Sequence, residues 1–230
     1  MTSRSSSVII MGYTPPDETG SDLLFFDIET APMIGAAEYI EPGEAPANYK
    51  DPDKIAAYVA AAQVKELEKA ALDLDLCRIV AIGWAGNDGP VSSVTNEPEQ
   101  DMLNMFWSVV REPGRTLVGF NCLGFDLPVL VRRSQYLGVS VPYLNITKHR
   151  HPGILDVMQL LSFDGLVRAR SQSFYCRRFN ITGGAVADTI TGADIGRLVD
   201  AGEWDKVSAH VVADVEKTRA LYRRVTGGGA

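Results

Sequence analysis

The sequence predicts an α/β fold, a mixed central sheet with helices on both faces. Outside a helix in the first connection, strand-like and helix-like segments run in the order β-β-β-α-β-α, and helices follow. That order suits a mixed sheet covered by helices. The first strand-like run is apolar enough to be covered on both sides. The chain has 230 residues, 46% hydrophobic and 22% charged, which fits one α/β domain of ~200–250 residues with a sizeable core.

Residues 1–20, rich in Ser, Thr, Pro and Gly, read as a poorly ordered leader. Leu23–Glu29 (LLFFDIE) is a short, mostly apolar strand. Residues 31–52 carry Pro32, Pro42, Pro46 and Pro52 among acids and read as loop. From Asp53 to Leu72 the Ala, Lys and Glu content predicts a helix, with Asp51 or Asp53 near its cap. Cys77–Ala85 is the second strand, and Asn87-Asp88-Gly89 is a turn leading to a third, Val91–Thr95. Glu99–Arg111 repeats Met102, Leu103, Phe106, Trp107 and Val110 at helical spacing. Thr116–Asn121 is the fourth strand, and a helix runs from Asp126 to Leu137. Residues 154–202 read as short helices between Gly- and Asp-rich turns. A last helix spans Trp204–Val225 and stops at Gly227–Gly229, leaving 227–230 as a flexible tail.

Composition excludes several classes. No apolar run reaches the ~18 residues of a membrane span, and Val8–Met11 is too short for the ~7–15-residue core of a signal peptide. Cys77, Cys122 and Cys176 are odd in number and lack C-x-x-C spacing, so the expectation is reduced, buried thiols in a cytoplasmic protein, without a disulfide framework or a zinc site. Net charge is −7, which by itself opposes nonspecific nucleic-acid binding. The charge is uneven, however. Residues 17–75 hold fourteen acids against four lysines, whereas residues 148–178 hold six Lys/Arg against two Asp. Such a basic stretch can meet phosphates, or it is simply a solvated face.

Three placements of acid stand out. Asp27 and Glu29 interrupt an apolar strand, and side chains at i and i+2 point the same way. Two adjacent buried carboxylates need a compensating cation; at a frayed strand end they need only water. On the last helix, with Val207 set at zero, Val211 falls at about 40°, Thr218 at about 20°, Leu221 at about −40°, Tyr222 at about 60° and Val225 at about 0°. Asp214 then falls at about −20°, inside the apolar stripe, and His210 at about −60°, on its edge. Asp126 precedes Leu127-Pro128 at a helix start and reads equally as an N-cap. Capping and metal binding are compatible, because a carboxylate has several acceptor sites.

Together these residues resemble the DEDD superfamily of 3′–5′ exonucleases, a ribonuclease H-like family. Its D-x-E motif at the end of the first strand is matched by Phe26-Asp27-Ile28-Glu29-Thr30, with Ala31-Pro32 following in the family's manner. Its second motif, Asn followed after three residues by an aromatic and Asp, is matched by Asn121-Cys122-Leu123-Gly124-Phe125-Asp126. Its third, an aromatic or His shortly before a last Asp, is matched by His210–Asp214. The resemblance spans residues 22–225 and is nearest to predicted exonucleases related to the proofreading domain of B-family DNA polymerases. One departure concerns spacing. Three residues separate His210 from Asp214, the spacing of the family's Tyr form, and position 209, where the His form would place its histidine, is Ala. A second departure is the 46-residue span of 31–76, an insertion where a hairpin would suffice.

The resemblance implies an exonuclease domain over 21–226 that holds two divalent cations, Mg²⁺ or Mn²⁺, on Asp27, Glu29, Asp126 and Asp214. His210 would be the general base. Ile28, Thr30, Asn121 and Phe125 would flank the terminal nucleotide of a single-stranded DNA or RNA 3′ end, and a replication or repair complex would be the setting. Candidates for phosphate contact are Arg132, Arg133, Lys148, Arg150, Arg168, Arg170, Arg177 and Arg178. The insertion would border the substrate channel, act as a lid, or merely stabilise the surface. The rival readings are a catalytically silent ribonuclease H-like module that binds nucleic acid or a polymerase, and a nucleotide phosphohydrolase using the same metals.

Overall fold

In the computed structural model, residues 22–147, 153–181 and 189–227 are described. The leader over 1–20 and most of the tail lie outside them. Strands β1 (Asp22–Pro32), β2 (Cys77–Ala85), β3 (Ser92–Thr95), β4 (Arg115–Gly119) and β5 (Ile154–Asp156) form one sheet in the order β3-β2-β1-β4-β5. β1 lies at its centre, antiparallel to β2 and parallel to β4; β4 is parallel to β5. The sheet is therefore mixed, as the sequence predicts.

Side-chain alternation along β1 divides the core. Leu24, Phe26 and Ile28 face one side and pack with helix α2 (Glu99–Val110) and helix α3 (Asp126–Leu137). Phe26 and Trp107 are fully buried there, each worth about 2–3 kcal/mol by removal from water. The Trp107 Nε1–H donates to Ser134 Oγ at 2.8 Å, so its burial leaves no orphaned donor. Leu23 and Phe25 face the other side, where Phe25 meets Tyr222 edge-on at 5.5 Å. That side is covered by α4 (Val157–Leu161), α5 (Gln172–Phe179), α6 (Ile195–Asp200) and α7 (Trp204–Thr226). Asp27 and Glu29 share the parity of Phe25, so they emerge under α7.

The close seat of α7 depends on Gly83, the β2 partner of Asp27. A Cβ at position 83 would lie 3.1 Å from methyl groups of Val211 and Val215. The missing side chain lets the helix approach the sheet and brings the Asp214 face over β1.

The elements differ from expectation in instructive places. β1 runs on to Pro32 because β2 pairs with it past a bulge between Glu29 and Thr30. β4 ends at Gly119 rather than Asn121, because Asn121 turns to φ 59° and its N–H goes to Asp156 instead of a strand neighbour. Ile154–Asp156 is a strand, which corrects the reading of 154–202 as helices alone; three residues are too few to show a period. In the insertion, Pro52–Lys69 is helix α1, capped by Asp51, whose side chain accepts from the Asp53 N–H at 3.0 Å. It buries none of its residues.

Candidate active site

Three separate elements deliver the four predicted acids to one cleft of about 1150 Å³. β1 brings Asp27 and Glu29, α3 brings Asp126 on its first residue, and α7 brings His210 and Asp214; all five line that cleft. The acids also act on one another. Burial first, then the charges of Asp126, Asp214 and Glu29, push the Asp27 carboxyl well above the ordinary range. Burial first, then Asp214 and Asp126, does the same to Glu29. Asp126 is pushed up to about 7, chiefly by burial, although backbone N–H groups of Asp126 and Ile28 hold it down. Bringing these carboxylates together is unfavourable without positive charge.

His210 is buried, with Nε2 3.5 Å from Glu29 Oε1 and 3.7 Å from Asp214 Oδ2. Atoms of Glu29, His210 and Asp214 suited to hold a cation lie within 4.8 Å of one another. Hard oxygen ligands from this many carboxylates suit Mg²⁺ or Mn²⁺, and the donor set therefore fits the expected ions. His210 Nδ1 has no hydrogen-bond partner among the described residues.

The expected substrate-flanking residues also line the cleft: Ile28, Thr30, Asn121 and Phe125. Thr30 is committed elsewhere as well, since its hydroxyl donates to the Ala71 carbonyl at 2.6 Å and ties β1 to the insertion. Phe125 packs against the core and also lines the cleft. The insertion forms a wall: Val64, Leu67 and Glu68 of α1 and Ala71 and Leu72 after it line the cleft.

Of the basic candidates, Arg170 reaches the cleft, its guanidinium 5.4 Å from the Phe174 ring centre. Arg177 lines an adjoining cavity. Arg168 and Arg178 are exposed, and Lys148 and Arg150 lie outside the described residues. Arg132 is engaged with Asp75 at 2.7 Å. Arg133 is a correction. It is buried and grips both oxygens of Glu99 at 2.8 Å, so it is a structural ion pair with no surface for a phosphate.

Asp156 escaped notice in the sequence. Buried at the end of β5, it accepts from the N–H groups of Asn121 (2.9 Å), Leu123 (3.2 Å), Met158 (2.9 Å) and Gln159 (3.4 Å). One carboxylate thus caps α4 and also holds the loop that presents Asn121 and Asp126. Gly124 completes the turn, because a Cβ there would fall 2.5 Å from Asn121 Oδ1. An Asp after two apolar residues and before Val157-Met158 carries the usual cap signal, but nothing local reveals a partner more than thirty residues away.

Among solved structures, the chain is similar to the family B DNA polymerase from the hyperthermophilic archaeon Pyrobaculum calidifontis, with 19% identity and a TM-score of 0.61. The likeness covers 93% of this chain but 25% of the polymerase chain, so the chain spans a quarter of that protein's length. At this identity the likeness speaks for the fold. A search of curated proteins finds no match. A family model matches residues 70–227, which include Asn121–Asp126 and His210–Asp214 but not β1. By that match the chain belongs to the family described as predicted 3′–5′ exonucleases related to the exonuclease domain of PolB.

Proposed function

We propose that this protein is a metal-dependent 3′–5′ exonuclease that removes nucleoside 5′-monophosphates from single-stranded nucleic acid, DNA in the first instance. The observation that carries the proposal is the meeting of Asp27, Glu29, Asp126 and Asp214, from three elements distant in sequence, in one cleft where the charges of Glu29, Asp126 and Asp214 all raise the cost of ionising Asp27. A purely structural role leaves that repulsion without a benefit. Two divalent cations held by these acids would neutralise the phosphate and make a bound water more acidic.

The remaining work falls to the chain itself. Asn121 and Phe125 border the terminal nucleotide with Ile28 and Thr30, and the wall from α1 to Leu72 limits its sideways movement. Water attacks phosphorus in line with the departing 3′-oxygen; the phosphorus–oxygen bond breaks, and a proton passes to the shortened strand's 3′-hydroxyl. His210 Nε2 is the proton acceptor in this proposal, facing Glu29 and Asp214. Arg170 at the cleft and the exposed Arg168 and Arg178 supply positive charge for the strand entering the site. Likeness to a polymerase makes a replication or repair complex the proposed setting, and the buried free thiols suit a reducing cytoplasm.

The test is a digestion ladder. With Mg²⁺ or Mn²⁺, 5′-labelled DNA and RNA strands of matched sequence should shorten stepwise from the 3′ end, and EDTA should stop the reaction. Strands that stay intact while still binding would establish the silent module instead. Cleavage of free nucleoside triphosphate in preference to either strand would point to the phosphohydrolase. Full activity in His210→Ala would remove the histidine from the mechanism and leave the acids in place.

A further inference from the structure

The acid cluster contains one cation of its own. Lys217 lies one turn beyond Asp214 on α7, with its side chain 9% exposed and Nζ 3.0 Å from Asp214 Oδ1. The other oxygen of Asp214 is the one near His210 Nε2, at 3.7 Å. The carboxylate is thus divided, one oxygen toward His210 and the other toward the ammonium. Burying an ammonium is costly unless charge or hydrogen bonds compensate it, and the position is at the edge of the helix's apolar stripe, where packing demands no amine. The influence of Lys217 extends past its contact partner: its charge offsets part of the repulsion on both Asp27 and Glu29. It approaches from the adjoining cavity, which shares His210 and Asp214 with the cleft. The neighbouring Arg219 is turned away, held by Glu216 and by the Gly86 and Gly89 carbonyls.

We infer that Lys217 is a resident counter-ion of the acid cluster, engaging one Asp214 oxygen and setting how tightly the cluster holds divalent cations. This rests on the proposal that these acids bind such ions. The lysine stabilises the fold when no ion is bound, and it leaves Asp214 a single oxygen to offer. It also opposes ion binding by charge, so affinity stays moderate until an anionic strand contributes its own negative charge.

The experiment titrates Mn²⁺ into the full chain, without nucleic acid, by calorimetry, for the wild type, Lys217→Met and Lys217→Arg. Thermal midpoints are read in EDTA and in Mn²⁺. Removing a unit charge from beside a divalent ion should tighten binding by at least about tenfold, the effect expected even at a near-aqueous dielectric, and Lys217→Arg should bind as the wild type does. In EDTA, Lys217→Met should melt below Lys217→Arg, with the gap narrowing in Mn²⁺. Unchanged or weaker Mn²⁺ binding by Lys217→Met would overturn the inference while leaving the metal reading intact. If the wild type itself takes up no Mn²⁺, the metal reading fails. The EDTA midpoints then decide alone: a lower midpoint for Lys217→Met keeps the counter-ion, and equal midpoints remove it. Lys217→Gln, which removes the charge but keeps a donor, replaces Lys217→Met with the same expected results should the latter not fold.

Discussion

In EDTA the protein should become less stable as pH rises from about 5 to about 8, the reverse of an ordinary acidic protein rescued from acid. The perturbation is ionisation of Asp126, 6% exposed and pushed from an ordinary value of 3.8 up to about 7, chiefly by burial. Between those values the folded chain retains a proton that the unfolded chain has released. Stability from this group is therefore complete below about pH 4 and lost as pH rises through about 7. About three pH units at ~1.4 kcal/mol each set a ceiling of ~4 kcal/mol on the loss. For a chain of this size that corresponds to a fall in Tm on the order of 10 °C. Asp27 and Glu29, both raised, act in the same direction. Divalent ions should restore the loss, by about 2.7 kcal/mol at a hundredfold excess over Kd. Calorimetric scans across this pH range, in EDTA and in Mg²⁺, read the effect, and Asp126→Asn should flatten part of the slope. A midpoint in EDTA that is level or climbs with pH refutes the picture of acids crowded together without a cation.

The other expectations follow from single contacts. Asp27→Asn should cut exonuclease turnover by about three orders of magnitude, ~4 kcal/mol of transition-state stabilisation, with circular dichroism unchanged; residual activity within tenfold of wild type contradicts the role given to Asp27. Asp156→Ala removes the acceptor of four backbone N–H groups and should cost ~2–4 kcal/mol in urea unfolding, with activity falling further than stability alone explains. Gly83→Val forces methyl groups into Val211 and Val215; it should cost ~1–3 kcal/mol and weaken Mn²⁺ binding by lifting α7 from β1. Arg133→Met breaks the buried pair with Glu99 and should destabilise by ~3–5 kcal/mol, yet leave the salt dependence of DNA binding as it was. A change in that dependence would return Arg133 to the phosphate contacts.

How much of this was legible in the sequence depended on distance along the chain. The helices over 99–110, 126–137 and 204–226 were readable because each repeats its apolar residues through three or more turns. β5 was not, since three residues show no period and its place is fixed by β4, thirty-five residues earlier. The acids Asp27, Glu29 and Asp214 could be found because each breaks an apolar pattern. Asp156 and Lys217 break none: one sits at a helix cap and the other at a stripe edge, where polar residues are ordinary. Their importance comes from partners brought together by the fold. Arg133 failed in the opposite way, as a basic residue whose burial only packing against Glu99 could reveal.

The helix over 52–69 contributes nothing to the interior, while the strand bearing Asp27 and Glu29 runs through its middle. Substitutions along that helix meet solvent on one side and the cleft on the other, so they are nearly free of folding consequences. Substitutions around the acids disturb everything packed against them. Variation among relatives should therefore accumulate in what the molecule accepts as a strand end, while the hydrolytic chemistry stays constant, because the two properties are carried by parts of the chain with such unequal tolerance for change.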